Sequence, residues 1–240
     1  MAELEVAKHG KNVIQMAVAR EHGIGHKLRE IALEIVIIVF AVSISIWFHS
    51  MSEHRHEQQQ VRTFLLGLKS DLKRDVEQLG GVVRDYRESD ATYKYLAELD
   101  PKGQPDGEKF DKAFEALNTN TFFVPERSRF EGFKSSGRLT HIEDDGLLND
   151  ILDLHQSDYP AIRRSESGWE SSQKKLMAYL DIALEQGETP AQRYAALTTP
   201  KAKRMLRALV AHAQIYDRYQ QYVTHSQQII KQIDAAYPGA

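Results

Sequence analysis

Residues 31–48, IALEIVIIVFAVSISIWF, carry one charge in eighteen positions, at Glu34. Wound as an α-helix, a run of that length spans about 27 Å, close to the hydrocarbon thickness of a bilayer. A buried core helix is the competing explanation, but a stretch this long and this poor in charge points first to a membrane span. Trp47 and Phe48 close the run, where aromatic rings suit the headgroup boundary. About thirty residues precede it, and Ile46, Trp47, Phe48 and His49 end it in place of the small residues of a signal-peptidase site. The run is therefore expected to be an uncleaved signal anchor covering residues 31–49.

Flanking cations set the expected direction. Lys11, Arg20, Lys27 and Arg29 stand on the N-terminal side, against Arg55, Arg62 and Lys69 on the other. This bias favours a cytoplasmic segment at residues 1–30 and an extracytoplasmic domain at residues 50–240, with the chain in the inner membrane. The rest of the chain is polar: mean hydropathy is -0.48 overall and 27% of residues are charged, so membrane character is confined to the one run. A net charge of -3 without a basic block argues against nucleic acid as a partner. The absence of cysteine removes disulfides, thiolate metal sites and cysteine nucleophiles.

Beyond the run, Val61, Leu65, Leu68, Leu72, Val76, Leu79, Val83 and Tyr86 recur at spacings of three and four, which predicts one long amphipathic helix. It can follow directly from the anchor as a stalk, with Gly80-Gly81 as its expected bend. The sequence DPKGQPDG at residues 100–107 should end it near Leu99. A short helix at residues 108–117 precedes a stretch expected to be irregular, in which Phe122, Phe123, Phe130 and Phe133 plug one end of a core.

A second pattern runs through Leu148, Ile151, His155, Tyr159, Ile162, Trp169, Leu176, Leu180 and Leu184, capped by Asp144 or Asp145 and kinked at Pro160. A third starts near Pro200 with Leu206, Leu209, Tyr216, Tyr219, Val223, Ile230 and Ile233 on one face. No alternating strand pattern is present. The expected class is all-α: a single transmembrane helix continuing into a long-helix antiparallel bundle or hairpin array.

Two segments carry a family resemblance. Glu34 opens the apolar run, a charged segment follows at residues 53–57, and Leu65, Leu68, Asp71, Leu72 and Asp75 form a Leu-x-x-Leu-x-x-Asp-Leu-x-x-x-Asp-like stretch. FKSSGRLTHIEDDGLLNDILDLH, at residues 133–155, adds a Ser-Gly-x-Leu turn, acidic residues and a leucine-rich helix. In both segments the chain resembles the bacterial membrane-protein family called domain of unknown function 6090. It departs from that pattern at Met51, where the family has tryptophan, and at Ala41, where it has glycine. The resemblance implies a single-pass topology and brings no activity.

Glu34, Ala41 and Ser45 lie along one line of the anchor helix, at 100° per residue. A carboxylate in hydrocarbon usually faces a partner, and Ala41 and Ser45 form a small-x-x-x-small pair, so this stripe is a candidate contact with a second copy or another membrane protein. The plainer explanation is that Glu34 reaches water at the boundary. His49, Glu53 and His56 share a face just past the run and could bind zinc or sense pH, although histidines are ordinary in such places. Glu143, Asp144 and Asp145 lack the alternation of a calcium loop and suit helix capping. Lys201, Lys203, Arg204 and Arg207 suit a solvated face, and Ser135 and Ser136 a turn.

No residues are assigned to catalysis, a cofactor or a metal. The expected function is a membrane-anchored interaction or scaffold module, partnered by the bilayer and by a second copy or another membrane protein. An extracytoplasmic sensor of a small ligand or ion, signalling through partners, is the alternative.

Overall fold

The computed structural model describes the backbone of residues 2–239, with side chains at Arg29 and throughout residues 31–239. Lys11, Arg20 and Lys27, on which the expected orientation leans, fall outside the described side chains. Two compact units divide between Gln58 and Gln59.

Helix α1 (Ala2–Glu98) supplies the whole first unit and the opening helix of the second. It stays helical through Gly80-Gly81. The expected stop is met: in the turn that follows, Asp100 accepts from the backbone of Gly103 at 2.8 Å and, through its carboxylate, from that of Lys102 at 3.0 Å. Lys203 donates to the Leu99 carbonyl, placing a cation at the negative end of the helix.

The second unit continues with α2 (Gly107–Glu115), α3 (Ser128–Ser135), α4 (Asp145–Asp153), α5 (Tyr159–Ala183), α6 (Pro190–Leu197), α7 (Pro200–Leu209) and α8 (Ala213–Ala236), and no strand occurs among the described residues. Asp144 caps α4 by accepting from the Leu147 amide at 3.0 Å. Thr189 and Thr199 cap α6 and α7, each followed by proline at the first helical position, where its missing N–H has no helical partner to lose.

Two expectations need correction, and that at Pro160 takes a definite form. The stretch read as irregular contains α3 and a 3-10 turn, Arg138–His141, joined at Gly137, whose φ of 73° suits glycine. Pro160 produces a π-turn, Leu154–Asp158, between α4 and α5. Proline offers no N–H to the carbonyl four residues back, and widening the turn lets the Tyr159 amide bond to the Leu154 carbonyl instead. The third pattern is two helices, broken at residues 210–212. Two distant side chains claim the backbone there: Trp169 Nε1 donates to the Leu209 carbonyl at 2.9 Å, and Asp90 accepts from the Ala211 amide at 2.6 Å.

Pairings along α8 give the directions. Lys69, Asp75 and Asp90 meet Asp234, Tyr222 and Tyr216 in that order, so residues 59–98 of α1 run antiparallel to α8. Asp150, Asp158 and Glu166 meet Gln228, Gln221 and Tyr219, so α4–α5 is antiparallel to α8 as well. The core between them holds Leu68, Leu72, Leu79, Ile151, Ile162, Leu176, Ile229 and Ile233, each no more than 2% exposed. On α8 the buried face is Ile215, Tyr219, Tyr222, Ser226, Ile229 and Ile233, with Tyr216, Val223 and Ile230 at its margin, a slight rotation from the expected stripe.

Candidate functional site

The first unit places every residue of 31–50 in the exposed class, including Val36 at 64%, Phe40 at 66% and Trp47 at 59%. One window in this helix is long and apolar enough to cross a membrane, with a mean hydropathy of 2.6 and none of it buried. Glu34, Ala41 and Ser45 all belong to that surface. Ser45 turns its hydroxyl back onto the Ala41 carbonyl at 2.8 Å, which satisfies it within its own helix and keeps the stripe narrow.

His49 Nε2 and Glu53 Oε1 approach to 3.1 Å with both side chains largely exposed. Among the described residues, no group of three His, Cys, Asp or Glu side chains is arranged to hold a metal ion. The basic cluster is divided: Lys203 engages the Leu99 carbonyl, Lys201 lies 5.0 Å from the centre of the Tyr179 ring, and Arg204 and Arg207 face solvent.

The second unit contains an arrangement the sequence pattern did not announce. Tyr216, Tyr219 and Tyr222, three residues apart on α8, donate to Asp90, Glu166 and Asp75 at 2.8, 2.9 and 2.9 Å. Each of these carboxylates also takes one loop amide: Ala211 for Asp90, Phe123 for Glu166 and Glu126 for Asp75, at 2.6, 2.9 and 2.9 Å. Three acids thus fasten the two non-helical segments, residues 119–127 and 210–212, to the same helix. Hydrogen bonds to a charged group contribute about 1.5–3 kcal/mol each, and a buried acid stripped of them becomes a liability.

Burial raises Asp75 above the ordinary carboxylate range, opposed by the bonds from Glu126 and Tyr222. Burial likewise pushes the Tyr216, Tyr219 and Tyr222 hydroxyls up, with the facing carboxylates adding to it, so all three remain proton donors. Asp71 completes the pattern by holding Arg74 at 2.6 Å and Arg129 at 2.9 Å. Gly67 makes the second contact possible, because a Cβ there would lie 2.3 Å from the Arg129 guanidinium carbon.

Periodicity offered one signal for these acids. The spacing 162, 166, 169, 173, 176, 180 on α5 is regular only when Glu166 and Gln173 are counted among the core positions, and both are buried. Gln173 donates to the Leu117 carbonyl at 2.7 Å. His155 is a different case: it is 1% exposed in the π-turn, stacked on Phe130 with centroids 4.0 Å apart, and neither ring nitrogen meets a protein hydrogen-bond partner. Burial lowers its pKa to about 4, with Arg127 and Lys134 adding to the effect.

The fold therefore defines an all-α protein in which one helix segment is long and apolar enough to cross a membrane and the others pack around a buried, fully paired acid network. A family model described as "Family of unknown function (DUF6090)" matches residues 30–180, well over half of the chain, and the chain belongs to that family. No curated protein and no solved structure matches it. The matched stretch contains Asp71, Asp75, Asp90 and Glu166, whereas the three tyrosines on α8 lie beyond it.

Proposed function

We propose that this protein is a single-pass membrane-anchored helical module that acts by binding other proteins, and that it does no catalysis. One observation carries the reading: residues 31–48 expose their entire apolar surface, while the helices of the second unit turn theirs inward. Exposed apolar area on that scale is unfavourable in water by about 25 cal/mol per Å² and is relieved in hydrocarbon. The buried acids serve the fold of the second unit, since their oxygens are committed to amides and tyrosines.

In this reading the N-terminus lies in the cytoplasm, the second unit lies outside the inner membrane, and the Glu34, Ala41 and Ser45 stripe meets a second copy or another membrane helix. Alkaline carbonate extraction should leave the full chain in the membrane pellet, and a C-terminal reporter active only outside the cytoplasm should be active. Release into the supernatant would overturn the anchor. For the stripe, Ala41→Leu should reduce the signal in a membrane two-hybrid assay of self-association and of partners recovered in mild detergent. An unchanged signal in both, with Glu34→Leu also neutral, removes the stripe as a contact.

A further inference from the structure

The break between α7 and α8 opens a cleft of about 420 Å³ against α5, within the size range of small-molecule sites. Arg164, Arg218 and His212 line it, together with the hydroxyls of Ser165 and Ser172 and the indole of Trp169, and no acidic residue does. Four arginines of this unit sit against carboxylates, Arg74 and Arg129 on Asp71, Arg163 on Glu166 and Arg193 on Glu188, and none of the four lines the cleft. Arg164, exposed on α5, has no carboxylate partner among the described residues. A cleft lined by two arginines and no acidic residue favours anions, and the carboxylate behind its wall, Asp90, is already engaged by the Ala211 amide and the Tyr216 hydroxyl.

The walls are held in place before any ligand arrives. Trp169 Nε1 is occupied by the Leu209 carbonyl, so the indole offers the cleft only its hydrocarbon surface. Asp90 fixes the Ala211 amide, and Arg218 is tied to the Ala161 carbonyl at 2.9 Å and to the Ser165 hydroxyl. Such fixing lowers the ordering cost of binding. The start of α8, which no side chain caps, borders the same space and adds partial positive charge. We infer that this cleft binds a small organic anion, with a carboxylate or phosphate group held by Arg164 and Arg218 and its apolar body laid against Trp169. A guanidinium fork matches either group, and the part of Trp169 that lines the cleft suits an apolar remainder. The inference stands apart from the membrane reading and would survive its failure.

The test uses the full chain in an uncharged detergent, with Trp47→Phe leaving Trp169 as the sole tryptophan. Benzoate, inorganic phosphate and the neutral analogue benzamide are titrated at low salt while Trp169 emission is followed. Benzoate should give a saturable change that benzamide does not, and phosphate should compete with it. Arg164→Gln, at an exposed position whose melting temperature should be unchanged, should weaken benzoate at least about tenfold, the loss of one charge-assisted contact. His212→Gln serves as a second variant, expected to weaken binding less. Absence of a saturable response, an equal response to benzamide, or an Arg164→Gln variant that binds like the parent overturns the inference. Repeating the titration in nanodiscs separates the sources of the anionic group. Benzoate binding in phosphatidylcholine discs supports a soluble ligand, and a Trp169 response that appears only with phosphatidylglycerol assigns the cleft to a lipid headgroup and overturns it.

Discussion

Residues 31–48 and residues 59–98 belong to the same helix, α1, and obey opposite rules. In the first, apolar side chains surround the helix and all are exposed; in the second, they form one buried stripe interrupted by Asp71, Asp75 and Asp90. Glu34 sits among apolar neighbours on an exposed surface, whereas the three aspartates sit inside and each has hydrogen-bond partners. Hydropathy alone would rank the first segment as the better core. The comparison teaches that a core is made by where apolar groups lie around the helix and by the pairing of the polar groups among them, and that apolar content alone does not make one.

The largest test of this contrast removes an internal acid. Glu166→Ala strands the Phe123 amide and the Tyr219 hydroxyl in the core and frees Arg163, so denaturant unfolding of the full chain in detergent should show a loss of about 3–5 kcal/mol. A loss below 1 kcal/mol would mean that the pairing of polar groups matters little here.

Matched truncations sharpen it next. Leu68→Ala, at a site 1% exposed, should cost the second unit about 2–5 kcal/mol, whereas Ile38→Ala, at 56% exposed, should leave its unfolding midpoint unmoved. Comparable losses from the two would erase the distinction between the segments.

Acid should expose a buried imidazole whose two ring nitrogens both lack a protein partner. His155 has its pKa lowered from 6.5 to about 4, so between those values the unfolded chain binds a proton that the folded chain does not, and stability falls as pH falls through that window. The deficit reaches about 3 kcal/mol below pH 4, from roughly 1.4 kcal/mol per pKa unit. Asp75 and Asp158, raised chiefly by burial, act in the opposite sense, gaining stability as pH falls, so the informative quantity is the difference between proteins. His155→Phe, which keeps a ring against Phe130, should lose the acid-sensitive component; parallel pH profiles for the variant and the parent would refute it. The smallest effect is expected at a helix end: Asp144→Ala should cost about 1 kcal/mol through the lost cap on the Leu147 amide, read as a lower melting temperature.

Much of the helical plan could be read from the chain. The apolar run, the stop at residues 100–107, the Asp144 cap and the all-α class follow from local rules about hydropathy, glycine, proline and capping. The Asp71 and Asp75 motif was visible as a pattern, but its partners were not: Arg129 and Tyr222 are far away along the chain. The same holds for the break between α7 and α8, where residues 200–233 keep a helical period while Asp90 and Trp169 draw the backbone out of it.

What the sequence determined by itself is therefore the set of helices and the segment suited to a nonaqueous solvent, because both depend on the spacing of side chains along a local backbone. What only the tertiary structure decided is which face each helix turns inward, where the backbone breaks between α7 and α8, and which acids fasten the loops. Those outcomes depend on hydrogen bonds between residues more than forty positions apart, such as Glu166 to Phe123 and Asp90 to Ala211, and no local pattern encodes the partner at the other end.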